Sequence, residues 1–109
     1  MSEMLIVQED HGKTLEVRQG DTFSVRLAEN PSTGYRWEVD ASNEQIVKLQ
    51  GADFLIAPET SMGGGGARFF TFKTQSPGTV RIQLKLAREW EPEDAAIVRF
   101  EVTIRVQPS

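Results

Sequence analysis

The sequence predicts an all-β protein, an immunoglobulin-like antiparallel β-sandwich of about seven to eight strands. Three observations carry that prediction: apolar and polar residues alternate with period two over several short runs, no segment sustains a helical period, and turn-forming residues recur between the runs. A chain of 109 residues with no repeat or linker is the size of one domain. Residues 1–109 are therefore read as a single unit with its own core.

The strands follow in order. Residues 5–7 and 15–17 are short apolar pieces suited to sheet edges. Phe23, Val25 and Leu27 alternate with Ser24 and Arg26, and Tyr35, Trp37 and Val39 with Arg36 and Glu38. Residues 46–49 and 53–57 are apolar pieces split by Gly51, which reads as one strand interrupted by a bulge or bend. Phe70 and Phe72 mark the next strand. The clearest alternation comes late, with Val80, Ile82, Leu84 and Leu86 set against Arg81, Gln83, Lys85 and Ala87. It recurs in Val98, Phe100, Val102, Ile104 and Val106, set against Arg99, Glu101, Thr103 and Arg105. Turn signals fall at residues 18–21, 40–43 and 75–78.

Between the third and fourth of these strands lies Asn30-Pro31-Ser32-Thr33-Gly34-Tyr35. Pro31 fixes its own φ and pushes Asn30 towards extended geometry, and Gly34 permits a positive φ where the chain turns back. If successive strands run in opposite directions, the turns near Gly20, Asn43 and Pro77 share one end of the sandwich. The connections at residues 30–34, 58–66 and 88–94 then share the other. Three unusual loops would stand side by side.

Composition excludes several functions. Twelve basic against sixteen acidic residues give a net charge of -4, which argues against a phosphate-backbone partner, so no nucleic acid is expected. No apolar run approaches bilayer-spanning length, so no membrane partner is expected either. With no cysteine, thiol catalysis, thiolate metal sites and disulfides all drop out. The acids at Glu91, Glu93 and Asp94 lack the spacing and glycine of a calcium loop, so neither metal nor cofactor is expected. His11 is the only histidine and falls in an early turn, and Ser32 and Thr33 have no base that the sequence identifies, so an enzyme is not expected. The first residues have neither a basic head nor a signal-length apolar stretch. Either the protein stays in the cytoplasm, or an export signal has already been removed.

The other two loops admit more than one reading. Gly63, Gly64, Gly65 and Gly66 could bring backbone close to a partner or merely let a hairpin reverse; a strand follows them, which does not suit a phosphate cradle. Trp90, in the charged stretch Arg88-Glu89-Trp90-Glu91, could fold back onto the core or stand out as an anchor, since Trp and Arg are enriched among binding hot spots.

Taken together and in order, Asn30-Pro31-Ser32-Thr33-Gly34-Tyr35, Gly63-Gly64-Gly65-Gly66 and Arg88-Glu89-Trp90 resemble the three motifs of the chagasin family of cysteine-peptidase inhibitors. The resemblance implies a monomeric, reversible, tight-binding inhibitor of papain-like (clan CA) cysteine peptidases that occludes the active-site cleft with three loops. It implies that Thr33 lies closest to the enzyme's catalytic pair, that the glycine loop runs beside the cleft, and that Trp90 stacks on enzyme surface at the other side. Gly63, Gly65 and Gly66 fit the family's Gly-any-Gly-Gly pattern, while Glu89 stands where the family commonly has Pro. The rival reading is an immunoglobulin-like adhesion or structural module whose loops bind something unrelated.

Overall fold

Eight strands form on the alternating runs: β1 (Glu3–Ile6), β2 (Thr14–Arg18), β3 (Thr22–Glu29), β4 (Tyr35–Ala41), β5 (Val47–Ile56), β6 (Gly66–Thr74), β7 (Gly78–Arg88) and β8 (Val98–Gln107). The computed structural model describes residues 3–30, 33–56, 65–88, 90–91 and 98–109. A 3-10 turn, Gln8–Asp10, lies between β1 and β2. One sheet has the order β1-β3-β6-β5 and the other β2-β8-β7-β4. The strand expected to break near Gly51 is β5, continuous but shifted by one residue against β6 between Leu49 and Gly51. An extra residue on one side of an antiparallel pair is a β-bulge.

Within each sheet, neighbours of opposite parity in chain order are antiparallel, as in β3–β6, β5–β6, β4–β7 and β7–β8. The two edge pairs join strands of like parity, β1 with β3 and β2 with β8, and these are parallel. The sandwich is thus antiparallel except at one edge of each sheet.

The inward phase of each strand fills the space between the sheets. Phe23, Val25 and Leu27 meet Phe70 and Phe72 on one side and Ile82, Leu84, Phe100, Val102 and Ile104 on the other, all buried. Phe23 and Phe72 stack with ring centroids 5.2 Å apart. Burying one such ring stabilises the fold by about 2–3 kcal/mol. Trp37 joins this core at 2% exposure, and its indole N–H donates to the Ala28 carbonyl at 2.8 Å, so the buried donor is satisfied.

The pole carrying Gly20, Asn43 and Pro77 is laced shut. Gly20 N–H donates to the Thr74 carbonyl (3.2 Å), Gln75 N–H to the Ile46 carbonyl (2.7 Å) and Val47 N–H to the Asn43 carbonyl (3.0 Å). The buried Thr74 hydroxyl lies 2.9 Å from the Arg18 carbonyl and 3.0 Å from that of Asp21. With one pole tied across both sheets, the positions of the strand ends at the opposite pole are fixed by the rigid body between them.

Candidate functional site

Strand register gathers the loop stems at that opposite pole. Glu29 at the end of β3 pairs with Gly66, Ile56 at the end of β5 pairs with the same Gly66, Tyr35 pairs with Arg88, and Leu86 with Val98. The end-sharing inferred from strand parity therefore holds for the described stems. Between them lies a hollow of about 510 Å³ bordered by Ala28, Glu29, Asn30, Thr33, Tyr35, Gly65, Gly66, Leu86 and Arg88. Of the residues that the motifs single out, Asn30, Thr33, Gly34, Tyr35, Gly65, Gly66, Arg88 and Trp90 are thereby placed. Pro31, Ser32, Gly63 and Gly64 lie outside the described residues, as does Glu89.

The first loop closes on itself. The Asn30 carbonyl accepts from the Thr33 N–H at 3.2 Å and from the Thr33 hydroxyl at 2.8 Å, and that hydroxyl oxygen accepts in turn from the Tyr35 N–H at 3.2 Å. Such a turn is the opposite of the extended backbone that a peptidase cleaves. Gly34 then takes a φ of 83°, the left-handed conformation that the sequence reserved for it.

Arg88 joins the first loop to the third. Its Nε donates to the Thr33 carbonyl at 3.3 Å, its guanidinium carbon lies 4.3 Å from the Tyr35 ring centroid and 5.8 Å from that of Trp90, and its Nη1 lies 3.9 Å from Glu91 Oε2. An arginine stacked on an aromatic ring and hydrogen-bonded to backbone loses much of its own freedom. The Trp90 indole rests against Gly34, yet remains 71% exposed. The indole is therefore not folded back into the core.

A Cβ on Gly34 would stand 2.9 Å from Trp90 Cη2 and 3.8 Å from Arg88 Nε. Gly34→Ala is accordingly expected to cost about 1–2 kcal/mol for the left-handed backbone and to swing the indole aside. Urea unfolding checks the first effect, and a change in the folded protein's near-ultraviolet circular dichroism the second.

Two features escaped the sequence reading. Leu55 and Ile56, at the end of β5 beside the glycine loop, are 58% and 68% exposed and extend the apolar surface of this pole. Glu29, one residue before the first loop, is buried. Its Oε1 accepts from the Trp37 N–H at 2.8 Å and Arg68 Nε at 3.3 Å, and its Oε2 from Arg68 Nη2 at 2.7 Å. The signal was available: Glu29 continues the inward phase of Phe23, Val25 and Leu27, and Arg68 that of Phe70 and Phe72.

The polar groups with catalytic potential are used structurally. Thr33 hands its hydroxyl proton to an amide carbonyl, which is no base. His11 Nδ1 accepts from the Glu101 N–H at 3.1 Å, and its ring packs 5.7 Å from that of Phe100, on the face of β8.

A rigid all-β body that tethers several loops at one pole, braces them against each other and leaves a tryptophan standing out is a loop-presenting, protein-binding domain of the immunoglobulin-like class. Residues 16–104 match the family described as Chagasin family peptidase inhibitor I42, which is most of the chain; the protein belongs to the chagasin family of cysteine-peptidase inhibitors and is not an enzyme. Amoebiasin-2 of Entamoeba histolytica is 31% identical over 107 residues, covering 94% of this chain and 85% of that protein. Chagasin of Trypanosoma cruzi is 26% identical over 106 residues, covering 92% and 94%. The crystal structure of the cysteine protease inhibitor EhICP2 from Entamoeba histolytica superposes with a TM-score of 0.86 at 21% identity, covering 96% of each chain. That of PbICP-C in complex with falcipain-2 superposes with a TM-score of 0.67 at 16% identity, covering 97% of this chain and 90% of that one. At such identities the two structures bear on the fold.

Proposed function

We propose that this protein inhibits papain-like cysteine peptidases reversibly by laying its three loops along the active-site cleft, with the first loop over the catalytic centre and the other two on either side. The carrying observation is the coupling of loop stems at one pole: Arg88 bound to the Thr33 carbonyl, Trp90 seated on Gly34 yet exposed, and Gly66 paired with both Glu29 and Ile56. Asn30, Pro31, Ser32, Thr33, Gly34 and Tyr35 form the central wedge in this reading. Gly63, Gly64, Gly65 and Gly66 supply backbone for hydrogen bonds to enzyme strands, and Arg88 and Trp90 form the second flank.

The mechanism requires no chemistry from the inhibitor. A loop already held in its turn loses little conformational entropy on docking, so more of its contact energy appears as affinity. Because the N–H and hydroxyl of Thr33 both turn back onto the Asn30 carbonyl, the chain at Thr33 passes the nucleophile without offering an extended scissile bond. Titration of papain with the purified protein is the test. Loss of activity at near-stoichiometric inhibitor is expected; full activity at large excess would return the protein to an adhesion or structural role.

A further inference from the structure

The Glu29–Arg68 pair lies outside all three motifs, yet it occupies the point where the first two loops leave the sandwich. Side-chain exposure is 2% for Glu29 and 18% for Arg68. Burying an ion pair is a poor way to gain stability, because desolvation offsets most of the attraction and apolar residues of similar volume do as well or better. What such a pair supplies is directed geometry. Here three donors converge on one carboxylate: two from Arg68 on β6 and the backbone N–H of Trp37 on β4. A fourth bond, from the Trp37 indole to the Ala28 carbonyl, runs across the sheets as the Trp37 N–H bond does.

The two Trp37 bonds connect strands that share no sheet, while the two from Arg68 brace neighbouring strands, β6 and β3, at the loop end of their ladder. β3 and β4, the two stems of the first loop, lie in opposite sheets and have no ladder between them. Arg68 sits two residues beyond Gly66 on the outgoing stem of the glycine loop. Its guanidinium carbon lies 5.2 Å from the Phe54 ring centroid, on the incoming stem. One carboxylate therefore ties both stems of the first loop to both stems of the second.

We propose that Glu29 is a positioning residue: through Arg68 and the Trp37 amide it sets the separation of the first loop from the glycine loop, without touching the peptidase. The proposal rests on the inhibitory reading above. Glu29→Gln keeps the side chain's shape but turns an NH2 group towards a donor, Arg68 Nη2 if the Trp37 bond is kept, so one tie is lost. Both loops must then be ordered during docking, which slows association. Once docked, the enzyme holds them in the same place.

The test is the association and dissociation kinetics of Glu29→Gln with papain, alongside amide line widths of the free proteins by NMR. Association is expected to slow about tenfold while dissociation stays within about twofold of the unaltered protein. The amides of Thr33, Gly34, Gly65 and Gly66 should broaden while those of Val102 and Ile104 do not. A residue that contacted enzyme would instead show its loss in dissociation, and a merely structural one would broaden the core amides; either result, or an unchanged association rate, overturns the proposal. If Glu29→Gln does not fold, Arg68→Lys, which keeps the charge and gives up the paired bonds, carries the same expectations. If the unaltered protein leaves papain fully active, the inhibitory reading falls while the line widths still decide whether Glu29 holds the loops: broadening at both supports it, and unchanged widths overturn it.

Discussion

Trp90→Ala is expected to weaken binding to papain by about 2 kcal/mol or more, roughly thirtyfold in the dissociation constant, and to leave the urea unfolding midpoint where it was. The two halves of that expectation have separate origins. At 71% exposure the indole contributes little to burial within the free protein, so its removal opens no cavity in the core. Its contacts are with Gly34, which has no side chain, and with the Arg88 guanidinium at 5.8 Å. A large, flat side chain held by its neighbours but left uncovered is well placed to be buried by a partner at small entropic cost. Trp37→Ala supplies the opposite pattern, because that ring is 2% exposed and satisfies the Ala28 carbonyl; a loss of stability of about 3–5 kcal/mol is the usual result at such a site. Equal stability losses for the two tryptophans would mean that the pole is not as described.

The contrast between these tryptophans also shows what could be read from sequence. Trp37 is in phase with Tyr35 and Val39 inside an alternating run, so period two places it among core residues, and its polar N–H finds a carbonyl there. Trp90 follows the last alternating residue of β7, where periodicity has stopped carrying information, so no pattern in the sequence distinguishes a buried ring there from the exposed one observed. The bulge near Gly51 was legible because a glycine interrupted an apolar strand. Parity of the strands was enough to put three loop stems at one pole, but not to find the two parallel edge pairs, because parity sets a strand's direction and not its neighbours.

The misses have physical causes. Exposure of Leu55 and Ile56 depends on β5 being the edge of its sheet, with only β6 as its neighbour, and strand order is not written in any local pattern. Glu29 was passed over because a charged residue next to a loop looks solvated. Its phase pointed inward, and the opposite charge at Arg68 shared that phase one strand away, so a search for charges in the apolar phase would have found the pair. The Arg88 stack on Tyr35 follows from register: the two residues face each other across β4 and β7.

Gly66→Ala is expected to cost about 2–3 kcal/mol of stability and to reduce inhibition of papain by tenfold or more. A Cβ at Gly66 would meet the Leu55 carbonyl oxygen, would stand 2.7 Å from Phe54 Cζ, and 3.2 Å from Ile56 Cα. At Gly34 the obstructing atoms belong to the Trp90 ring, which can swing away; at Gly66 two of the three belong to the backbone of the paired strand, so relief requires β5 and β6 to part at the stem of the glycine loop. Because Gly66 also pairs with Glu29, parting displaces this loop from the first one. Gly51→Ala is the control, since a Cβ there meets nothing within 4 Å, and its stability should stay within about 0.5 kcal/mol of the starting protein. Inhibition is to be measured well below the unfolding midpoint of Gly66→Ala, where nearly every molecule is folded and a lost stability of this size cannot by itself lower the inhibitor concentration. Under that condition, a Gly66→Ala protein that inhibits as well as Gly51→Ala would show that the glycine loop takes no part in binding, and that the first and third loops hold the peptidase alone.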